Sequence, residues 1–213
     1  MSKKEEMIFE RNPDTGQIRS RKFGDYSNER IEKEIKCTKL HLGCGDKILK
    51  DFINVDIRLD LGADIIDDVG KLNSVEDNSI DLIYVCHVLE HFGRDEYISV
   101  LKRWYTVLSD GGVLRVAVPD FEKVVSMYNS DYPLKNLMGL LYGGQTYEHN
   151  YHYITFDFNT LKDDLESIGF KDVKLWDWRT TEHADIDDFS QAYIPHMDKD
   201  NGTLMSLNVE AIK

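Results

Sequence analysis

Apolar and polar positions change their period repeatedly along this chain, and those changes outline its elements. The stretch MIFERNPDTGQIRSRKFG alternates polar and apolar residues on either side of Asn12-Pro13-Asp14-Thr15-Gly16, which predicts a hairpin. Such a hairpin could serve as a surface adornment, a homodimer contact or a cover for a site. Asn28 is placed to cap a helix whose Ile31 and Ile35 recur at i and i+4. Short strands are expected at Lys39–Leu42, Phe52–Asp56 and Ala63–Ile66, and the run IDLIYV at Ile80–Val85 suits a buried parallel strand. Helical spacing of Ile98, Leu101, Tyr105 and Leu108 predicts a helix over Asp95–Leu108. Gly111-Gly112 breaks it, VLRVAV makes the next strand, and Pro119 closes that strand. A helix over Asn159–Ile168 ends at Gly169; Lys171–Trp178 and Leu204–Ile212 then alternate as two last strands able to pair antiparallel across a long insertion.

This alternation predicts an α/β domain with ligands at the carboxyl ends of its strands. One spacing is short. About nine residues separate Gly45 from the strand around Val55, whereas a parallel crossover with its helix needs about a dozen. The first helix is therefore expected to shrink to a turn anchored by Ile48 and Leu49.

Composition narrows the picture. A length of 213 residues with 41% hydrophobic content suits one domain, 1–213, and no linker-like stretch or internal repeat divides it. The apolar runs are shorter than a membrane span and MSKKEEMIFE lacks a signal-like apolar segment, so a soluble cytoplasmic protein is expected. Cys37, Cys44 and Cys86 form no CxxC pair, which argues against a disulfide framework and a thiolate zinc site. The net charge is −13; residues 1–40 hold ten Lys/Arg and eight Asp/Glu, so the rest carries −15. That field argues against nucleic acid and anionic membranes as partners, and suits a neutral or cationic small molecule or a sugar.

The candidate chemistry begins at LHLGCGD. Gly43 and Gly45 end the first core strand, where bare amides leave room for a ligand. Asp56 ends the next strand, where a carboxylate can accept from both hydroxyls of a ribose. A dinucleotide site would need a third glycine and a helix N-terminus at the pyrophosphate. Asp46 and Lys47 follow Gly45 instead, so a ligand without phosphates and with a cationic centre fits better.

LHLGCGD, FINVDI, the Asp67-Asp68 segment before Leu72, NSIDLIYVCHVLEHF and LSDGGVLRVAVPD together resemble the successive motifs of class I, Rossmann-like S-adenosylmethionine-dependent methyltransferases, the type 11 subgroup above all. The resemblance covers residues 38–120 closely and 157–178 loosely. It implies a three-layer α/β/α sheet, mostly parallel with an antiparallel last strand, and S-adenosyl-L-methionine as cofactor. It places Leu42, Gly43, Cys44 and Gly45 against the amino-acid part of the cofactor. Asp56 then holds the ribose, Ile57 packs by the adenine, Asp68 and Val69 take the adenine edge, and His87 stands beside the methionine moiety. His41 replaces a usual acidic residue and Lys47 a frequent glycine, so Asp46 would have to support the cofactor's amino group. Cys44 and Cys86 are expected to contribute volume and not a reactive thiolate.

Methyl transfer from a sulfonium is a direct displacement, so positioning can supply much of the rate. An oxygen acceptor also wants a base or a metal ion. Candidate catalytic residues are His91, Asp120, His149 and His152. In CHVLEH, Glu90 and His91 could shape a helix start, or His91 could act as a base. No metal is assigned. The alternative is a divalent ion held by Glu90, His91 and a distant histidine, as in some RNA 3′-end methyltransferases, which have a glutamate where His87 stands. EHNYHY follows the flexible pair Gly143-Gly144 and sets His149 and His152 among Tyr147, Tyr151 and Tyr153. The acid-rich 181–202 loop could be solvated or bind metal, and its Asp187, Asp188 and Gln191 suit sugar hydroxyls. Residues 1–37 are expected to form a hairpin and helix extension, and 120–156 and 179–203 substrate-side insertions. The function expected is O-methylation of a sugar or glycan precursor. Its rivals are N-methylation of a small amine and a catalytically inactive cofactor-binding partner subunit.

Overall fold

A computed structural model describes residues 7–11, 18–22, 38–196 and 198–213. The hairpin strands β1 (Met7–Arg11) and β2 (Ile18–Lys22) pair antiparallel as expected. The turn between them, the helix expected after Asn28, and Cys37 lie outside the described residues.

The remaining strands form a seven-stranded sheet and one small pair. The sheet comprises β3 (Lys39–Leu42), β4 (Ile53–Asp56), β5 (Ile65–Ile66), β6 (Ile80–Cys86), β7 (Leu108–Pro119), β8 (Lys171–Leu175) and β11 (Ser206–Ile212). Its order is β5-β4-β3-β6-β7-β11-β8, parallel from β5 to β7, with β11 running against both of its neighbours. The last two strands thus pair antiparallel, as the alternating pattern predicted, and β11 enters between β7 and β8. The order and direction are those of the Rossmann-like methyltransferase fold.

Each strand sends alternate residues to two different faces. Leu40, Leu42, Ile83, Val85, Leu114, Val116, Val209 and Ala211 point to the main core under α1 (Tyr97–Val107) and α4 (Phe158–Ile168). The buried stripe of α1 is Val100, Leu101, Trp104 and Val107, rotated from the expected Ile98/Leu101/Tyr105/Leu108 stripe. Trp104 causes the rotation, because burying the largest side chain outweighs burying Ile98. Asp157 caps α4 by accepting from Thr160 N at 2.8 Å, and Gly169 ends it.

The opposite face is covered differently. Between β3 and β4 the chain makes only turns, as the short spacing predicted. Leu49 and Phe52 anchor that crossover, while Ile48, expected to share the task, is exposed. Buried Asn54 supplies the missing rigidity: its amide donates to Leu49 O and Phe52 O, and its Oδ1 accepts from Leu49 N. Farther along this face the 176–192 segment packs over Phe52, Tyr84 and Arg115 through Trp176, His183 and Ile186. Its acids serve the fold. Asp188 accepts from the Tyr84 hydroxyl at 2.6 Å, Glu182 pairs with Arg115 and Lys39, and Asp187 pairs with Lys199. Gln191 is buried and donates to Ala184 O and Ile186 O.

The 120–156 stretch, expected as an insertion without assigned elements, holds two helices, α2 (Phe121–Asn129) and α3 (Leu134–Tyr142). They pack with Met205 beside the small antiparallel pair β9 (Tyr193–Ile194) and β10 (Thr203–Leu204). Among the described residues no helix is long and apolar enough to cross a membrane.

Candidate active site

A cleft of about 470 Å³ opens at the carboxyl ends of β3, β4 and β6, within the size range of small-molecule sites. Gly43, Gly45, Asp56, Ile57, Asp68, Val69, His87, His91 and His149 all line it. Gly43 to His91 stand at or just after the ends of β3, β4, β5 and β6, which the parallel order brings to one edge, and His149 joins them from the segment after α3.

The glycine loop is built around backbone contacts. Gly43 has φ +63° and a Cβ added there would stand 2.3 Å from Val88 Cγ2. Gly43 N and Cys44 N both donate to Val55 O, folding the loop across β4. The Asp56 carboxylate completes the turn, one oxygen accepting from Gly45 N at 2.8 Å and the other from Arg58 N at 2.9 Å. Each oxygen keeps a lone pair for a ligand hydroxyl. Asp68 accepts from Gly70 N at 2.9 Å and pairs with Lys71 at 2.7 Å. Partial burial opposes its ionisation, yet the Lys71 ammonium and the Gly70 N–H hold its pKa below the usual carboxylate value.

The other cofactor candidates lie off the cleft wall. Leu42 is fully buried in the main core and can offer a ligand only its backbone. Cys44 is buried as expected, and burial together with nearby Asp56 pushes its thiol up to about 12. Cys86 is likewise pushed well above its ordinary value by burial. Neither is a thiolate nucleophile. His41 faces the opposite side of the sheet, bonded to Asn54 at 3.1 Å and stacked on Tyr84, so it does not stand in for an acid at the cofactor.

The acceptor end gathers around Glu90. The CHVLEH segment forms a single 3-10 turn at Leu89–His91, and α1 starts later, at Tyr97. His87 has φ +51°, a left-handed conformation that aims its ring from the end of β6; such strain at a strand end is common in functional sites. Burial pushes its pKa down to about 3, with His152 and His91 adding to the shift. Glu90 is fully buried, and burial raises its pKa to about 8. His152 Nε2 lies 3.9 Å from Glu90 Oε1, and the His91 and His152 rings meet edge to face at 4.9 Å. Burial lowers the pKa of both rings.

The 143–153 segment is fixed over this turn. Tyr153 N donates to Glu90 O at 2.8 Å and His152 N donates to Tyr142 O. Gly143 ends α3 at φ +74°, and Cβ atoms at Gly143 and Gly144 would meet Asn150 at 2.4 and 2.6 Å. The absence of a Cβ at both positions permits close packing against Asn150. His149 is exposed beside Glu148. Asp120 is buried off the cleft, where it caps α2 by accepting from Lys123 N at 3.1 Å, and burial raises its pKa.

Of the residues lining the cleft, Tyr147, Glu148 and Tyr153 belong to the tyrosine–histidine cluster expected at the acceptor side, whereas nothing in the sequence pointed to Arg58, Phe92 or Glu96. Arg58 lies over the Tyr147 ring at 5.2 Å, joining the glycine side of the cleft to the 143–153 segment. Arg58 and Phe92 are half-buried and Glu96 is exposed, and their mixed chemistry leaves no local signal along the chain.

Residues 62–116, about a quarter of the chain, match the family model described as Methyltransferase domain. None of the curated proteins matches the sequence. A SAM dependent methyltransferase from Archaeoglobus fulgidus shares the fold with a TM-score of 0.52 at 18% identity, over 82% of this chain and 85% of that one. A structure described as a possible exported protein from Bordetella parapertussis gives 0.51 at 15% identity, over 83% of this chain and 62% of that one. At these identities the likeness is one of fold.

Proposed function

We propose that this chain, a methyltransferase by its domain match and its Rossmann-like fold, methylates a small polar acceptor, a sugar or glycan-precursor hydroxyl, with S-adenosylmethionine as the methyl donor. The observation that carries the cofactor reading is the Asp56 carboxylate, held at the cleft by two backbone N–H groups with lone pairs to spare. Asp56, Asp68, Glu96 and Glu148 line the cleft against Arg58 alone among lysines and arginines. That balance suits a sulfonium and repels a pyrophosphate. When bound, the cofactor supplies an electrophilic methyl group on a sulfonium. Gly43, Gly45, Asp56, Ile57, Asp68, Val69 and His87 are the residues we assign to hold it.

The acceptor reading rests on an open depression of about 420 Å³ next to the cleft, which shares Tyr147, Glu148 and Tyr153 with it and adds Gln145 and Tyr151. Exposed tyrosines with neighbouring amide and carboxylate groups can stack on a sugar face and hydrogen-bond its hydroxyls. Glu96 and Glu148 at the cleft also favour a cation, which keeps N-methylation of a small amine as the second reading.

Calorimetry with S-adenosylhomocysteine and the Asp56→Ala variant tests the cofactor site. Loss of a hydrogen-bonded charged partner costs about 1.5–3 kcal/mol, so affinity should fall at least about tenfold; unchanged affinity removes Asp56 from the site. Isotope-labelled S-adenosylmethionine offered with separate sugar and amine pools then reads the acceptor. Label only in amines replaces the first reading by the second.

A further inference from the structure

We propose that Glu90, His91 and His152 bind a divalent transition-metal ion at the acceptor end of the cleft. One donor atom from each of the three lies within 4.8 Å of the other two. A cation with bonds of about 2.1 Å spans donors roughly 3–4 Å apart, so a modest contraction closes the site.

The rings are prepared for this. The imidazole Nδ1 of His91 donates to Tyr151 O at 2.9 Å, and that of His152 donates to Leu140 O at 3.0 Å. Each neutral ring therefore carries its lone pair on Nε2. Anchoring the second ring N–H to a carbonyl is the usual support of a metal-bound histidine.

Glu90 is the independent observation. Both of its carboxyl oxygens are buried and neither has a hydrogen-bond partner. His87 Nδ1 stands 3.3 Å from Oε1 without making a hydrogen bond, and the other nitrogen of that ring is engaged with Ser206 Oγ at 3.2 Å. Among the described residues no lysine or arginine pairs with Glu90. Burying an unsatisfied carboxyl is costly, and a cation held jointly with two imidazoles removes that cost.

Two imidazole nitrogens and one carboxylate oxygen favour manganese, iron, cobalt, nickel or zinc over the all-oxygen preference of magnesium and calcium. Three protein ligands leave coordination positions open, and His91 lines the cleft. An acceptor hydroxyl in an open position loses its proton more readily: the O–H bond breaks, the proton passes to solvent and the electron pair stays on the metal-bound oxygen. This role, unlike the binding itself, rests on the methyl-transfer reading.

The test is titration of the full, chelator-stripped chain with Zn²⁺ by calorimetry and with Co²⁺ by visible absorption. One equivalent per chain, ligand-field bands for bound Co²⁺ and a rise in Tm are expected. Glu90→Gln, which keeps the volume, and His152→Asn should each weaken binding tenfold or more. His91→Asn, at a partly exposed position, gives a further reading should Glu90→Gln fail to fold. Absence of saturable binding, or binding unchanged in the folded variants, overturns the site. Affinity for S-adenosylhomocysteine measured on the same stripped protein separates the two readings. Its retention without metal binding sinks only the metal site, and its loss with intact metal binding sinks the cofactor reading.

Discussion

Gly43 shows how much one residue can impose on the site. Its φ of +63° and the 2.3 Å approach of Val88 to an added Cβ combine two penalties. A left-handed non-glycine residue alone costs about 1–2 kcal/mol, and Val88 must also move from a wall of the cleft. Gly43→Ala should therefore lower stability by more than about 1 kcal/mol in denaturant titrations and cut S-adenosylhomocysteine affinity at least tenfold. A variant with wild-type affinity would show that Val88 yields freely. The position of Gly43, Gly45 and Asp56 on the cleft was legible because a glycine pair and an acid at successive strand ends form a local pattern. His41 was legible only as a departure; its task, packing the far face with Asn54 and Tyr84, depends on strands paired across the sheet.

At the scale of elements, α1 couples the core to the cleft. Trp104 is fully buried in the main core, and its Nε1–H donates to Val69 O at 2.8 Å, a residue of the cleft wall. Trp104→Phe keeps most of the packing and strands that carbonyl, so a loss of about 1–3 kcal/mol is expected from chemical denaturation. Trp104→Ala should cost about 3–5 kcal/mol. Equal stability of Trp104→Phe and wild type would mean the Val69 carbonyl finds another donor. The helix itself was predictable from its spacing, but its facing was not, since Ile98 and Trp104 fit alternative stripes about equally well by periodicity. Helices α2 and α3 bury one residue each, Val124 and Leu137, yet they are about as amphipathic as α1; their period was present in the sequence and lay inside the stretch expected to be an insertion. The 143–153 segment is the sharper lesson. Its backbone bonds to Tyr142 and Glu90 decide where His152 lies, and backbone partners carry no residue-type signature.

For the whole molecule, acid sensitivity follows from the polar face of the sheet. Burial holds the His41 pKa near 4, against 6.5 in the unfolded chain, although Asn54, Asp188 and Asp56 oppose the shift. Between these values the unfolded state binds more protons, so stability falls as pH drops from about 6.5 to 4. His183 is shifted in the same direction by burial and by Arg115. Glu182 acts lower. Partial burial opposes its ionisation, but its hydrogen bonds and the Arg115 and Lys39 charges bring its pKa to about 2 from 4.5. Its stabilisation is present above 4.5 and is lost as pH falls toward 2. Urea titrations across pH should show His41→Gln flattening the upper window and Glu182→Gln only the lower one; identical profiles would contradict the assignment. Sequence alone determined the α/β sheet, the shortened first crossover, and the glycine–aspartate end of the cleft, because each is written in local periodicity or at strand ends that a parallel sheet must bring together. Tertiary structure alone decided that Glu90 is buried without a hydrogen-bond partner, that His152 and not His149 stands beside it, and that 176–192 covers the second face. Those outcomes depend on which distant segments fold back over the sheet, and no spacing along the chain records that choice.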